Sequence, residues 1–272
     1  MIVAGIDCGA KNTKTVILQD GIIIGKGLAP TGFEQSQAVA NSLALALSDA
    51  GVKRADVARI AGTGVGAEAV AEADVRINDV RAIAAGGRYF FPGVQTVLDV
   101  GAEESRVVSC DEEGRVVDFA INEKCAAGSG AFLEAMARAL ETPLEDIGTL
   151  ALSSDAHIAM NAQCTIFAES EVVGLIHANA DKKDISKAIH DAMASRIAAM
   201  VRRVGIIPPI VMIGGVARNP AFLAALAKEL AVEAVLAREY PEFGAAIGAA
   251  VVAAAEAQER PENTRRRGDQ HA

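Results

Sequence analysis

The sequence predicts an α/β protein of two lobes, each built on the same strand–strand–turn–strand–helix unit. Three observations predict it. The 272-residue chain is 51% hydrophobic, which is enough apolar material for more than one core. Strand-like runs at residues 2–7, 13–19 and 22–29 lead into a helical pattern, and the same order returns at 96–100, 106–110 and 115–121. The two copies also hold register. Asp7 and Asp99, at the ends of the two first strands, lie 92 residues apart (99 − 7), and the turn glycines Gly21 and Gly114 lie 93 apart (114 − 21). A repeat of this kind constrains a fold more than any single motif.

The elements follow in order. Residues 2–7 form an apolar run of buried-strand character, and Asp20-Gly21 is the hairpin turn between the next two strands. Ser36 is the expected cap of a helix whose apolar stripe is Val39, Leu43 and Leu47 and whose stop is Gly51. Residues 57–61 read as a strand closed by "GTGVG" (62–66). Helical segments then run to about Tyr89, where Pro92-Gly93 breaks the chain. In the second half Glu113-Gly114 is the hairpin turn, and a helix starts near Ser129. Further helices are expected at 143–152, 165–178, 185–204 and 220–230, with a strand at 210–213 closed by "GGVARN". Pro241 opens a last helix containing "FGAAIGAA". The expected division is a first lobe over 1–92, a second over 93–240, and a final helix over 241–258 that returns to the first. Residues 259–272 are expected to be a disordered tail, because they carry no apolar pattern.

Composition narrows the function. A net charge of −9 lacks the basic balance that nucleic acid selects. No apolar run is long enough for a membrane span, and the first residues have no signal-peptide pattern, so a cytoplasmic protein is expected. Cys8, Cys110, Cys125 and Cys164 are widely spaced, which argues against a disulfide framework.

Two motifs carry phosphate chemistry. In "GIDCGAKNTKTVIL" a strand delivers Asp7 and Gly9 into a tight turn. Phosphate needs close backbone N–H groups and a small residue that lets oxygen approach. Asp7 suits Mg²⁺, directly or through water. Lys11 and Lys14 supply charge, while Asn12 and Thr13 supply hydrogen bonds. "LDVGAEES" repeats the element with Asp99 and Gly101. A third element, "IGGVARN", runs a strand into Gly214-Gly215, where backbone can approach a ribose or base.

Together these motifs resemble the acetate and sugar kinase/Hsp70/actin superfamily. The resemblance implies two lobes of βββαβα repeats with Mg-ATP in the cleft between them. It places Asp7 and Gly9 in the first phosphate motif, Asp99 and Gly101 in the second, and Gly214, Gly215 and Asn219 in the adenosine motif. "NEKCAAGSGAFLE" and "NAQCTIFAESEV" are similar to one branch, the ATPases that activate 2-hydroxyacyl-CoA dehydratases and the related ATPase subunits of benzoyl-CoA reductase. That resemblance implies one [4Fe-4S] cluster per dimer, with Cys125 and Cys164 as this chain's two ligands. Each of these cysteines precedes a predicted helix start, a place that favours a thiolate. A cluster needs four ligands, so a second subunit is implied. Gly128 and Gly130 then form the nucleotide-linked root of a helix that couples the second phosphate hairpin to Cys125. The remaining cysteines are expected to be packing residues, and no histidine, His190 included, is assigned a role.

After Asp99 the run is Gly101-Ala102-Glu103-Glu104, where homodimeric activators usually show Gly-Gly-Gln-Asp. This departure looks more like the D- or Q-type ATPase component of benzoyl-CoA reductase, with Glu103 or Glu104 as the base or orienter for water. The expected function is an ATP-hydrolysing subunit that takes an electron from a ferredoxin-like donor. It would pass that electron to catalytic subunits reducing an aromatic acyl-CoA, with a second ATPase subunit, unlike or identical, sharing the cluster. The alternatives are a homodimeric dehydratase activator and, more remotely, an amino-sugar kinase.

Overall fold

The computed structural model describes residues 1–122, 128–160, 164–233 and 235–259. The expected disordered tail lies outside them from residue 260 on. The chain forms two compact units. One comprises Met1–Tyr89 with the residues from Ala245 onward, and the other comprises Phe90–Gly244.

In the first unit β1 (Ile2–Cys8), β2 (Asn12–Gln19), β3 (Ile22–Pro30), β4 (Arg59–Thr63) and β5 (Val75–Arg76) make a five-stranded sheet. Its order is β3-β2-β1-β4-β5. β1 is antiparallel to β2 and parallel to β4, which puts Asp7 opposite both Lys14 and Thr63. The apolar run of β1 is buried because it has a neighbour on each side and helices over its faces. α1 (Gln35–Ala50) packs Val39, Leu43 and Ala46 against Ala4, Ile6 and Ile17 and stops at Gly51, whose φ of 66° is left-handed. The helix cap falls at Glu34, two residues before the expected Ser36, and makes no side-chain capping bond. β4 begins two residues later than expected, because a 3₁₀ turn at Arg54–Asp56 takes Val57 as its terminal residue.

α2 (Asp79–Phe90) and the last helix of the chain, α8 (Gly244–Glu259), cover the other face of this sheet. Ala61, Ile77, Ala82, Ala249, Val252 and Ala253 make a small-residue core there. Glycine sets the spacing: a Cβ at Gly5 would lie 2.0 Å from the Ala246 carbonyl oxygen, and one at Gly248 1.8 Å from that of Ala82. The Gly/Ala-rich pattern of α8 is therefore a close-approach surface.

The second unit repeats the sheet. β6 (Thr96–Val100), β7 (Ser105–Cys110), β8 (Val116–Asn122), β9 (Ile210–Ile213) and β10 (Val235–Leu236) follow the order β10-β9-β6-β7-β8. Read from the hairpin side, this is the first unit's order. β6 is antiparallel to β7 and parallel to β9, so Asp99 lies opposite Arg106 and Ile213. α3 (Gly130–Ala139), α4 (Leu144–Leu152), α5 (Thr165–His177), α6 (Lys182–Val204) and α7 (Pro220–Leu230) pack Phe132, Met136, Ile147, Val172, Ile189, Ile197 and Phe222 into one core with Leu98, Val107 and Met212. α6 starts three residues earlier than the apolar pattern suggests, since its first turn is polar and Asp181 precedes it. The apolar pattern gives no sign of the two-residue strands β5 and β10. No helix among the described residues is long and apolar enough to cross a membrane.

Replacing Gly248 with alanine forces a Cβ into the Ala82 carbonyl and must push α8 from α2. The expected loss is about 1–3 kcal/mol, the usual range for overpacking. It is to be read as a lower urea midpoint with unchanged slope; an unaltered midpoint would refute this packing account.

Candidate functional site

Asp7 ends the buried strand β1 and is 8% exposed. A carboxylate there needs a charge partner. β2 supplies it: Lys14 Nζ donates to Asp7 Oδ2 at 3.0 Å. On the other side β4 runs into Gly64 at φ +90°, where a Cβ would lie 2.5 Å from Asp7 Oδ1. Only glycine allows that conformation and that approach together. The Gly64 N–H and the Thr63 hydroxyl both donate to Asp79 Oδ1, at 2.8 and 3.0 Å, which ties the loop to the start of α2. Gly9 lies in the turn, within reach of Lys14 Nζ and the Asp7 carboxylate. Lys11 is exposed and Asn12 half-buried. Thr13 is fully buried and points away from the turn's surface: its hydroxyl pairs with that of Thr31 at 3.0 Å, and Thr31 donates to the Gly9 carbonyl at 2.7 Å. Cys8 packs beside Thr13, and burial pushes its thiol pKa up.

The second unit builds the same station. Asp99 is 9% exposed at the end of β6. Arg106 on β7 stands in the place of Lys14, with Nη1 3.7 Å from Asp99 Oδ2. Gly214, at φ +87°, follows β9, and a Cβ there would lie 2.5 Å from Asp99 Oδ1. The cation follows the aspartate by seven residues in both copies (14 − 7 and 106 − 99). Neither Arg106 nor Gly64 is among the residues expected at the site, although that spacing carries the signal for the arginine. The two expected glutamates separate. Glu104 is ion-paired to Arg106, whereas Glu103 is exposed on the turn.

The helix root behind this turn is fixed by hydrogen bonds. Gly130 N–H donates to the Gly101 carbonyl and Ala131 N–H to the Ala102 carbonyl, both at 2.8 Å. The Ser105 hydroxyl donates to the carbonyl of Gly128, a buried residue. The first two N–H groups of α3 are thus satisfied by the β6–β7 turn.

Of the residues expected in the adenosine motif, Gly215 lies in a 3₁₀ turn, Gly215–Arg218, with Gly214 just before it and Asn219 just after. Gly215 is exposed with open space around it. Asn219 caps α7: its Oδ1 accepts from Ala221 and Phe222 N–H at 3.1 Å each. Its amide nitrogen lies 2.9 Å from His190 Nε2, and His190 Nδ1 lies 2.7 Å from the Ser186 carbonyl. Backbone N–H groups fix one end of this chain and a carbonyl fixes the other. Asn219 Nδ2 is therefore a donor, and His190 is neutral with its proton on Nδ1. Burial is the main force holding the His190 pKa below its ordinary 6.5.

Cys125 lies outside the described residues. Cys164 is half-buried and is the N-cap of α5, with extended backbone at φ −140°. The helix's first N–H groups lie beyond it, and the adjacent Thr165 hydroxyl is buried with no hydrogen-bond partner among the described residues. Such surroundings fit a thiolate ligand of an iron–sulfur cluster. α5 also exposes Ile166, Phe167, Val173 and Ile176. Among the described residues no group of three or more His, Cys, Asp or Glu could hold a metal ion.

Two sheets of one topology, each carrying an aspartate, a cation and a close glycine at matching positions, define a duplicated actin/Hsp70-like ATPase fold. The chain belongs to the BadF/BadG/BcrA/BcrD ATPase family, whose model matches residues 4–253. It is 37% identical to the (R)-2-hydroxyglutaryl-CoA dehydratase activating ATPase of Acidaminococcus fermentans, over 92% of this chain and 95% of that protein. The crystal structure of that dehydratase's component A matches with TM-score 0.91 at 36% identity, covering 95% and 99% of the two chains. The 2-hydroxyisocaproyl-CoA dehydratase activator of Clostridioides difficile is 34% identical over 95% of this chain and 97% of its own length. A structure of that activator with bound ADPNP matches with TM-score 0.89 at 33% identity, over 95% of this chain and 96% of that one. A component of the benzoyl-CoA reductase of Thauera aromatica is 32% identical over 92% of each chain.

His190 makes stability pH-dependent in a definite direction. Above its ordinary 6.5 the ring is neutral in both folded and unfolded chains. As pH falls through that value the unfolded chain takes up a proton that the folded chain resists, so stability drops until the lower folded pKa is reached. Urea unfolding between neutral pH and about 5.5 should therefore show a larger loss for the native chain than for His190→Gln. Equal losses would refute the assignment.

Proposed function

We propose that this chain is an ATP-hydrolysing activator that delivers low-potential electrons to an acyl-CoA-processing partner. The observation that carries this reading is the matched pair of stations, Asp7–Lys14–Gly64 and Asp99–Arg106–Gly214. In each, a carboxylate able to take Mg²⁺ directly or through water sits beside a cation able to take phosphate charge. Gly9, Lys11, Asn12 and Lys14 line the first turn, and Gly101 the second. Thr13 acts from behind by stiffening the first turn. The open backbone at Gly215 receives the adenosine side, and Asn219 fixes that turn. Glu103 is the better placed glutamate for orienting water, because Glu104 is held by Arg106.

Gly128 and Gly130 transmit the state of the second turn rather than touch the nucleotide, since their backbone groups are bonded to the hairpin. The chain segment before them carries Cys125. Cys125 and Cys164 are proposed as this chain's half of a shared [4Fe-4S] cluster, which supplies a one-electron carrier when bound. A second ATPase subunit completes the ligand set, and the exposed apolar residues of α5 favour a protein neighbour there. A ferredoxin-like protein is the proposed donor.

The family relatives favour a 2-hydroxyacyl-CoA dehydratase as the electron acceptor. A second reading, an ATPase subunit of a benzoyl-CoA reductase, is favoured by one observation: the Glu103-Glu104 run in place of the usual Gln-Asp.

Asp7→Ala and Asp99→Ala should each slow Mg-ATP hydrolysis more than about tenfold, or about 1.4 kcal/mol of barrier. Hydrolysis at the native rate in either variant would count against its station. Anaerobic affinity purification with mass spectrometry and iron assay tests the rest. The native chain should retain about four irons per two ATPase subunits, Cys164→Ala should lose them while keeping nucleotide affinity, and the co-purifying subunits should identify the acceptor. Iron-free protein after anaerobic reconstitution would end the cluster assignment.

A further inference from the structure

The buried histidine of α6 belongs to a polar relay that none of the phosphate stations uses. The relay runs through three helices. The Ser186 hydroxyl donates to the Ile147 carbonyl of α4 at 2.7 Å. The Ser186 carbonyl accepts from His190 Nδ1 at 2.7 Å, and His190 Nε2 accepts from Asn219 Nδ2 at 2.9 Å. Asn219 Oδ1 then receives the first N–H groups of α7. Ser186 is 0% and His190 1% exposed, so no water competes for the two bonds made at Ser186, and Asn219 is half-buried at the other end. The fit is close around Asn219 as well: a Cβ at Gly148 of α4 would lie 2.6 Å from Asn219 Oδ1.

This arrangement does more than cap a helix. Two hydrogen bonds to Oδ1 already satisfy the capping role, yet the other end of the amide is held too. The 3₁₀ turn Gly215–Arg218 is suspended between two anchors. At its start Gly214 N–H donates to the Pro241 carbonyl at 2.9 Å, and at its end the Asn219 side chain is bonded to the α7 N–H groups and to His190, while Asn219 N–H closes the turn on the Val216 carbonyl at 2.9 Å. The second anchor is rigid only while the Asn219 side chain keeps its orientation. An amide that rotated would offer donors to the α7 N–H groups and lose the cap.

We propose that His190 is a positioning residue for the nucleotide's adenosine side: by accepting from Asn219 it locks the amide, and through it the turn that presents Gly215. The proposal rests on the reading that residues 214–219 face adenosine.

The test uses the full chain and two probes, ATP and inorganic triphosphate, with binding measured by calorimetry alongside urea midpoints. His190→Leu fills the space but accepts nothing. It should weaken ATP by about tenfold and leave triphosphate within about twofold. His190→Gln can donate to the Ser186 carbonyl and accept from Asn219, and should bring ATP affinity back to within about threefold of native. Folded His190→Leu with native ATP affinity, equal losses of ATP and triphosphate, or no rescue by glutamine would each overturn the proposal. If the leucine variant fails to fold, Asn219→Ser retains a cap but cannot reach His190. It should show the same selective loss of ATP, and unchanged ATP affinity there overturns the proposal as well. Absence of ATP binding by the native chain would instead refute the underlying reading of residues 214–219.

Discussion

A charged carboxylate placed at the end of a fully buried strand is the constraint on which the rest of each unit depends. Strands β1 and β6 have both edges paired and are buried along nearly their whole length, and Asp7 and Asp99 at their ends are buried too. An ion in that position is tolerable only with a close opposite charge. The antiparallel neighbour provides the charge, because register puts Lys14 opposite Asp7 and Arg106 opposite Asp99. The parallel neighbour must then leave room on the carboxylate's other side. It does so with a glycine in the left-handed region, Gly64 or Gly214. One strand end thus dictates a cation on the antiparallel neighbour and a glycine just past the parallel one, and the dictation is made twice.

The two stations differ in their cation, and the difference has chemical content. Lys14 is a compact ammonium at full hydrogen-bond distance from its aspartate. Arg106 is a fork shared between Asp99, at 3.7 Å, and Glu104. The cation beside the second aspartate is thus shared with a neighbouring glutamate. The Glu103-Glu104 run thus sets one carboxylate on Arg106 and leaves the other exposed on the turn.

Much of this is legible in the sequence, and what is not follows a physical pattern. The hairpin strands, their turns, β6, β9 and α7 emerge at or within a residue or two of their observed bounds, since alternation, Asp-Gly and Pro signals are local. The aspartates stand out for the same reason. Arg106 is easily passed over, although its seven-residue offset from Asp99 repeats that of Lys14 from Asp7. Gly64 and "GTGVG" read only as a strand closure, because a positive φ against a carboxylate is fixed by a parallel partner more than fifty residues away. His190 gives no local signal at all. Its importance depends on α4, α6 and α7 meeting, which no spacing within one helix reveals. Cys164 is recognisable by motif, and its place at a helix N-cap follows from the polar-to-apolar boundary at that point.

The second unit ties the β6–β7 turn to the residues flanking segment 123–127 through shared hydrogen bonds and packing. α3 begins with its first donors on the carbonyls of the β6–β7 turn, so a shift of Gly101 or Ala102 moves the helix root directly. α6 offers a second connection. At His190 it holds Asn219, and six residues on (196 − 190), about 9 Å along the helix, Arg196 donates to Asn122 at 3.4 Å. Next to it the Ile197 methyl packs at Gly128. The residues on either side of segment 123–127 are thus held by the same helix that fixes the end of the 214–219 turn. A helix is stiff over that distance, and a close-packed core transmits displacement rather than absorbing it. The flanks of that segment are therefore tied to the β6–β7 turn from the α3 side and to the 214–219 turn from the α6 side.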